Sequence, residues 1–260
     1  MAEPGRTEPT PSPRAQSRGA VVAVVATVAL LGVGAWLALK RSTPKPLEAP
    51  APVAAAPASS PSLPPRSVAD DDATFRRLAA SLGAESALAA WLTQGHLVQR
   101  LTAAVNLVAD GDSPRAVLEA LAPSRPFAAA TVNGRLATTP ESYARYDAVV
   151  KAAAALDPVK AAGAYAELRP AFRAAFAAIG EPGASFDRTL RAALDRLLAT
   201  PVPAAEPELV PRTVGYAFAD PALESLSGAQ KLLLRTGPAN QRAFQAWLRA
   251  LESALPPPGS

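Results

Sequence analysis

Gly19-Ala-Val-Val-Ala-Val-Val-Ala-Thr-Val-Ala-Leu-Leu-Gly-Val-Gly-Ala-Trp-Leu-Ala-Leu39 runs for 21 residues without an ionisable side chain. As an α-helix rising about 1.5 Å per residue it reaches roughly 30 Å, the thickness of a bilayer's hydrocarbon core. Lys40 and Arg41 follow at once, and Trp36 sits where an interfacial aromatic belongs. A cleavable leader would be shorter and would close on a small-residue site. The nearest such tripeptide, Ala49-Pro50-Ala51, lies beyond the charges and contains proline. The run therefore reads as an uncleaved transmembrane helix, 19–39, and it divides the chain. A disordered tail, 1–18, precedes it; a Pro/Ala-rich linker, 40–67, and a domain, 68–260, follow. Gly34 and Ala38 form a small-xxx-small pair, common in Ala/Gly-rich spans and a weak signal of helix pairing.

The linker carries Pro44, Pro46, Pro50, Pro52, Pro57, Pro61, Pro64 and Pro65. Spaced prolines favour extended polyproline II, which would hold a domain up to roughly 60–80 Å from the bilayer. Arg6, Arg14 and Arg18 stand before the span and Lys40, Arg41 and Lys45 after it, so the positive-inside count is tied but for the terminal amine. The long stalk suits a domain that crosses envelope space. The expected arrangement is a single pass through the cytoplasmic membrane with the C-terminal domain in the periplasm.

The net charge of +4 and pI near 9.7 invite a nucleic-acid reading. The excess lies entirely around the span: from residue 68 onward there are 19 Lys+Arg and 19 Asp+Glu. A neutral domain offers no basic footprint for a phosphate backbone. Cysteine is absent, which removes disulfides, thiolate nucleophiles and cysteine metal sites. His96 is the only histidine, so neither a histidine metal cluster nor a Ser-His-Asp triad with a spare ligand can be built. No cofactor or metal is expected, and no Gly-rich phosphate loop follows a strand.

Periodicity makes the domain mainly α with one small β-hairpin. Asp70-Asp71-Asp72 reads as the acidic opening of a helix carrying Phe75, Leu78, Ala79 and Leu82. Gly83 ends it, and the 3–4 apolar spacing resumes over Ala84–Thr93 and Leu97–Ala109. Ser113-Pro114 starts a short helix. Asn133-Gly134 between Phe127–Val132 and Arg135–Thr139 predicts a two-residue hairpin turn. Thr139-Pro140 predicts a helix through Leu156, and Asp157-Pro158 another, which Pro170 should kink or split. Phe186–Ala199 is amphipathic. Thr213–Phe218 reads as a short extended segment, Asp220-Pro221 as a capped turn. Ser227 begins one further helix and Gly237-Pro238 the last, to Leu255.

Tyr216-Ala-Phe-Ala-Asp220-Pro-Ala-Leu-Glu224-Ser-Leu-Ser-Gly-Ala-Gln-Lys231-Leu-Leu-Leu-Arg235-Thr-Gly237-Pro238-Ala-Asn240 resembles the end of the bacterial domain-of-unknown-function 3014 family. Tyr143-Ala-Arg145-Tyr146-Asp147, Tyr165 with Leu168 and Pro170, Gly180 before Phe186, and Leu198-Ala-Thr200-Pro201 agree with it. The resemblance covers about 70–260. It departs at Val105-Asn106-Leu107, where the family pattern has Val-Asp-Asn-Leu. It implies an N-terminal span and a proline-rich linker, and no biochemical activity.

Seven residues are the candidate site. Lys231 and Arg235 are four apart around three leucines, which leaves them one narrow helical strip. They suit either a grip on an anionic ligand or pairing with Asp147 or Glu224 in a structural network, and the network is favoured because half-buried charges must be paired. Arg145, Tyr146 and Asp147 put a donor fork, a phenol and an acceptor within one turn, and Tyr216 belongs to the C-terminal run. Asp220 and Glu224 share a face but cannot flank a bond from opposite sides, as glycosidase carboxylates must. The favoured function is a non-enzymatic binding or scaffold module for an envelope protein or component. The alternative is an envelope enzyme with a polar cleft of Arg145, Tyr146, Asp147, Tyr216, Glu224, Lys231 and Arg235.

Overall fold

The computed structural model describes residues 67–82, 91–180 and 183–257. The predicted span, the tail, the linker to residue 66 and residues 84–90 of the helical stretch expected over 84–93 lie outside them. Among the described residues no helix is long and apolar enough to cross a membrane. Helix α1 (Val68–Ser81) opens on a capping box: the Ser67 hydroxyl accepts from the Asp70 N–H while the Asp70 carboxylate accepts from the Ser67 N–H. Of the three acids only Asp70 serves α1 in this way. Asp72 caps a different helix, α2 (Leu97–Asp110), accepting from the N–H groups of His96 at 2.8 Å and Leu97 at 2.7 Å. His96 itself adopts a left-handed conformation and its exposed side chain caps nothing.

A 3-10 helix (Pro114–Leu121) follows, then the predicted hairpin, β1 (Ala129–Val132) with β2 (Arg135–Thr138). Val132 faces Arg135 across Asn133 and Gly134, both at positive φ, as a type I′ turn requires. The single helix expected from Pro140 to Leu156 is two: α3 (Pro140–Ala144) and α4 (Asp147–Ala154). The break falls where the Tyr146 ring enters the core and the Arg145 guanidinium turns back onto the Ser142 carbonyl. Helix α5 (Pro158–Ala177) passes unbroken through Pro170, contrary to the expected split. Helix α6 (Phe186–Leu198) is as read.

The proline-rich crossing hides a second hairpin that the sequence reading missed. Strands β3 (Leu209–Pro211) and β4 (Tyr216–Phe218) pair antiparallel, and an Ala137–Glu208 bridge ties them to the first hairpin. A turn of helix, α7 (Pro221–Glu224), leads to α8 (Gly228–Leu234) and α9 (Pro238–Ala254).

Helix α2 packs against α1, the 3-10 helix, α5 and α6, and α9 lies across α4, α5 and α6. Their apolar stripes meet in one core in which Trp91, Leu97, Val98, Leu233, Phe244 and Leu248 are fully buried. A smaller cluster joins the second hairpin to α8 through Leu209, Phe218 and Leu234, with Phe127 and Tyr216 packed against it. Polar side chains of one helix repeatedly close the open carbonyl end of another. Gln245 donates to Leu197 and Thr200, Trp247 to Leu156, and Arg196 to Ala109. These bonds tie helix C-terminal ends to neighbouring helices.

Candidate functional site

The seven candidate residues separate into a cluster and two structural bonds. In the cluster, the Arg145 guanidinium lies 5.2 Å from the Tyr146 ring and 5.6 Å from the Phe127 ring. Phe127 is 5.5 Å from Tyr216, and the Arg235 guanidinium donates to the Tyr216 carbonyl at 3.2 Å and lies 5.9 Å from the Phe218 ring. Such cation–π and stacking contacts position guanidiniums without cancelling their charge. Arg145 is fixed further by donating from Nε to the Ser142 carbonyl and from Nη1 to the Arg125 carbonyl, both at 2.9 Å.

Asp147 is not in this cluster's chemistry. Its carboxylate accepts from the Asn240 amide at 2.9 Å, holding α4 to α9. Glu224 and Lys231 do pair, at 3.0 Å, and the Glu224 carboxylate also accepts from the Phe218 N–H at 2.9 Å. Burial alone would raise the Glu224 carboxyl, but the Phe218 N–H and the Lys231 ammonium hold it below the usual range. The expected network is therefore half right. Lys231 has its carboxylate, whereas Arg145 and Arg235 make no ion pair among the described residues and rest on carbonyls and rings instead.

One member escaped the sequence reading: Phe127, whose strand pattern marks only the start of a hairpin, links Arg145 to Tyr216. Arg115, half-buried on the 3-10 helix, makes no ion pair or hydrogen bond among the described residues. Burial lowers its pKa, as do the charges of Arg145 and Arg235, against the pull of Tyr146 and Glu119.

A second polar cluster is structural. Buried Asp187 accepts from the Tyr165 hydroxyl, from Arg169 Nε at 2.7 Å and from Arg173 Nη2 at 2.7 Å. Tyr165, Arg169 and Arg173 recur every four residues on α5, a legible ladder whose acceptor sits at the start of α6. Burial alone would raise the Asp187 carboxyl; these donors outweigh it and bring it down to about 2. Arg169 also reaches the Pro257 carbonyl, tying the C-terminal segment to the ladder.

Two hollows among the described residues lie elsewhere. One, about 100 Å³, is lined by Phe75, Leu101, Phe172, Leu190, Trp247, Leu255 and other core side chains, with Tyr165 as its polar edge. The other, about 480 Å³, is framed by Arg135, Glu206, Glu208 and Asp220, where Arg135 pairs with Glu208 at 2.8 Å and Tyr143 donates to Glu206. Among the described residues no group of three His, Cys, Asp or Glu side chains is placed to hold a metal.

No curated protein and no solved structure matches this chain. Residues 97–252, which carry most of the core, both hairpins and every candidate residue, match the family described as "Protein of unknown function (DUF3014)". With more than half of its length matched, the chain belongs to the DUF3014 family.

Proposed function

We propose that this protein is a cell-envelope module, tethered to the cytoplasmic membrane through Gly19–Leu39, that works by binding rather than by catalysis. One observation carries the reading: Arg145 and Arg235 are grouped with half-buried Phe127 and Tyr216, while Asp147 and Glu224 are engaged in structural bonds. Asp147 is taken by Asn240, and Glu224 by Phe218 and Lys231. The cluster's own side chains, Arg145, Phe127, Tyr216 and Arg235, include no carboxylate or imidazole to serve as a general base. It supplies donor forks and flat faces, the residue types enriched in binding hot spots. The uncharged run, the proline linker and the neutral domain support a module that reaches out from the bilayer to a protein or envelope component. The enzyme alternative loses three of its residues, Asp147, Glu224 and Lys231, to structural bonds.

The experiment is photo-crosslinking in intact cells, with a photoreactive residue at position 127 or, as a control, at exposed Val159 on α5. The reading predicts a discrete adduct from position 127 that Arg145→Leu abolishes, and none from position 159. Identical adducts from both positions, or none from 127, would overturn it.

A further inference from the structure

Resting on the binding-module reading, we propose that the partner docks as an added strand on the outer edge of β1, through an extended peptide segment that carries a carboxylate. The two hairpins lie side by side in the order β1-β2-β3-β4, joined by the Ala137–Glu208 bridge. Such a row has two outer edges, each a template for further pairing. The β4 edge is plugged. The Ala219 N–H donates to the Glu208 carbonyl and the Arg212 N–H to that of Gly215, so alternation turns Tyr216 and Phe218 away from β3. There the Glu224 carboxylate accepts from the Phe218 N–H at 2.9 Å, and Arg235 donates to the Tyr216 carbonyl at 3.2 Å.

The β1 edge is bare among the described residues. The two-residue turn makes Val132 and Arg135 a bonded pair, and the Thr139 N–H donates to the Ala128 carbonyl at 3.2 Å. Bonding therefore alternates through Ala130, and the N–H and C=O groups of Ala129 and Thr131 face away from β2. Edges are ordinarily blunted by a charge, a proline or a covering segment. Ala129-Ala-Thr-Val132 has neither charge nor proline, and its last three residues are exposed. The strand is also preset: Ser142 Oγ accepts from the Ala128 N–H at 2.7 Å and donates to its carbonyl at 2.8 Å, so a docking segment has less to order. Charge selects the occupant. Arg145 donates to the Arg125 carbonyl and lies against the Phe127 ring, which places both arginines at the entry to β1. Neither makes an ion pair among the described residues, and Arg145 keeps its Nη2 donors open. A second copy of β1 brings no carboxylate to them; an acidic segment does.

The test is photo-crosslinking of the full-length chain in intact cells, with a photoreactive residue at exposed position 130. A discrete adduct is expected, and mass spectrometry of the joined peptides should find Asp or Glu in the captured segment. Thr131→Pro removes only an outward N–H, which an edge strand tolerates, so it should keep the unfolding temperature and lose the adduct. Should it lower that temperature, Arg125→Glu decides, at a side chain bonded to nothing among the described residues; reversing its charge should lose the adduct too. An adduct that survives either substitution, that joins two copies of this chain, or whose captured segment lacks an acid overturns the site. A chain that is silent at position 130 yet still crosslinks from position 127 refutes strand addition and leaves the binding module standing. Silence at both positions removes both.

Discussion

Asp187 concentrates more of the domain's electrostatics than any charge in the candidate site. Its folded pKa is depressed from an ordinary 3.8 to about 2. A depressed carboxyl contributes stability that is present above the unfolded pKa and lost as pH falls through the folded value. The contribution is about 2 kcal/mol, so acid unfolding should steepen between about pH 4 and pH 2. In Asp187→Asn that limb should flatten, and stability at pH 7 should fall by about 3–5 kcal/mol, because Arg169 is left buried without its anion. Urea titrations across pH would show it; an unchanged acid limb would contradict the assignment. Gly237 is the other decisive residue. Its φ is +88°, and a Cβ there would stand 2.7 Å from the Tyr143 ring. Gly237→Ala should cost about 2–4 kcal/mol, backbone strain and overpacking adding together. A variant of native stability would mean that Tyr143 moves freely.

Helix α5 shows why some elements can be read in sequence and others cannot. Pro170 removes an N–H and ordinarily kinks or breaks a helix. Here Tyr165 and Arg169 before it and Arg173 after it all bind Asp187, so both halves are held to one point and the helix stays continuous. Pro170 is exposed, and its ring fills no core space. Pro170→Ala should therefore stabilise the domain by about 1–3 kcal/mol, by restoring the bond to the Ala166 carbonyl, a gain that thermal unfolding would register. A loss would mean that the proline shapes the packing. Helix starts were legible because their caps are local: Asp157, Asp220 and the Ser227–Gln230 box all bond within three residues. The break at Arg145-Tyr146 and the β3–β4 hairpin were not, because each depends on a distant partner. Tyr146 is drawn into the core, and Leu209 faces Phe218 across a loop without a strong hairpin dipeptide. The candidate site divides in the same way. Glu224 was one of two partners legible for Lys231, seven residues away in sequence, whereas Phe127 links Arg145 to Tyr216 only through the fold.

At the scale of the molecule, charge and hydropathy are segregated along the chain, and that segregation is the argument for its placement. The basic excess surrounds Gly19–Leu39, and the region from residue 68 onward sums to zero. Full-length protein should therefore resist carbonate extraction from membranes; recovery as a soluble, N-terminally shortened chain would reject an uncleaved anchor. The account's central claim is that the helical domain stands outside the cytoplasm, where an envelope partner can meet the arginine and aromatic cluster. Alkaline phosphatase and a fluorescent protein, fused in turn after Ser260, test that claim most directly. The account predicts phosphatase activity without fluorescence, since the enzyme needs the oxidising side and the fluorophore the cytoplasm. Fluorescence without phosphatase activity would put the domain inside the cell and contradict the envelope-binding function.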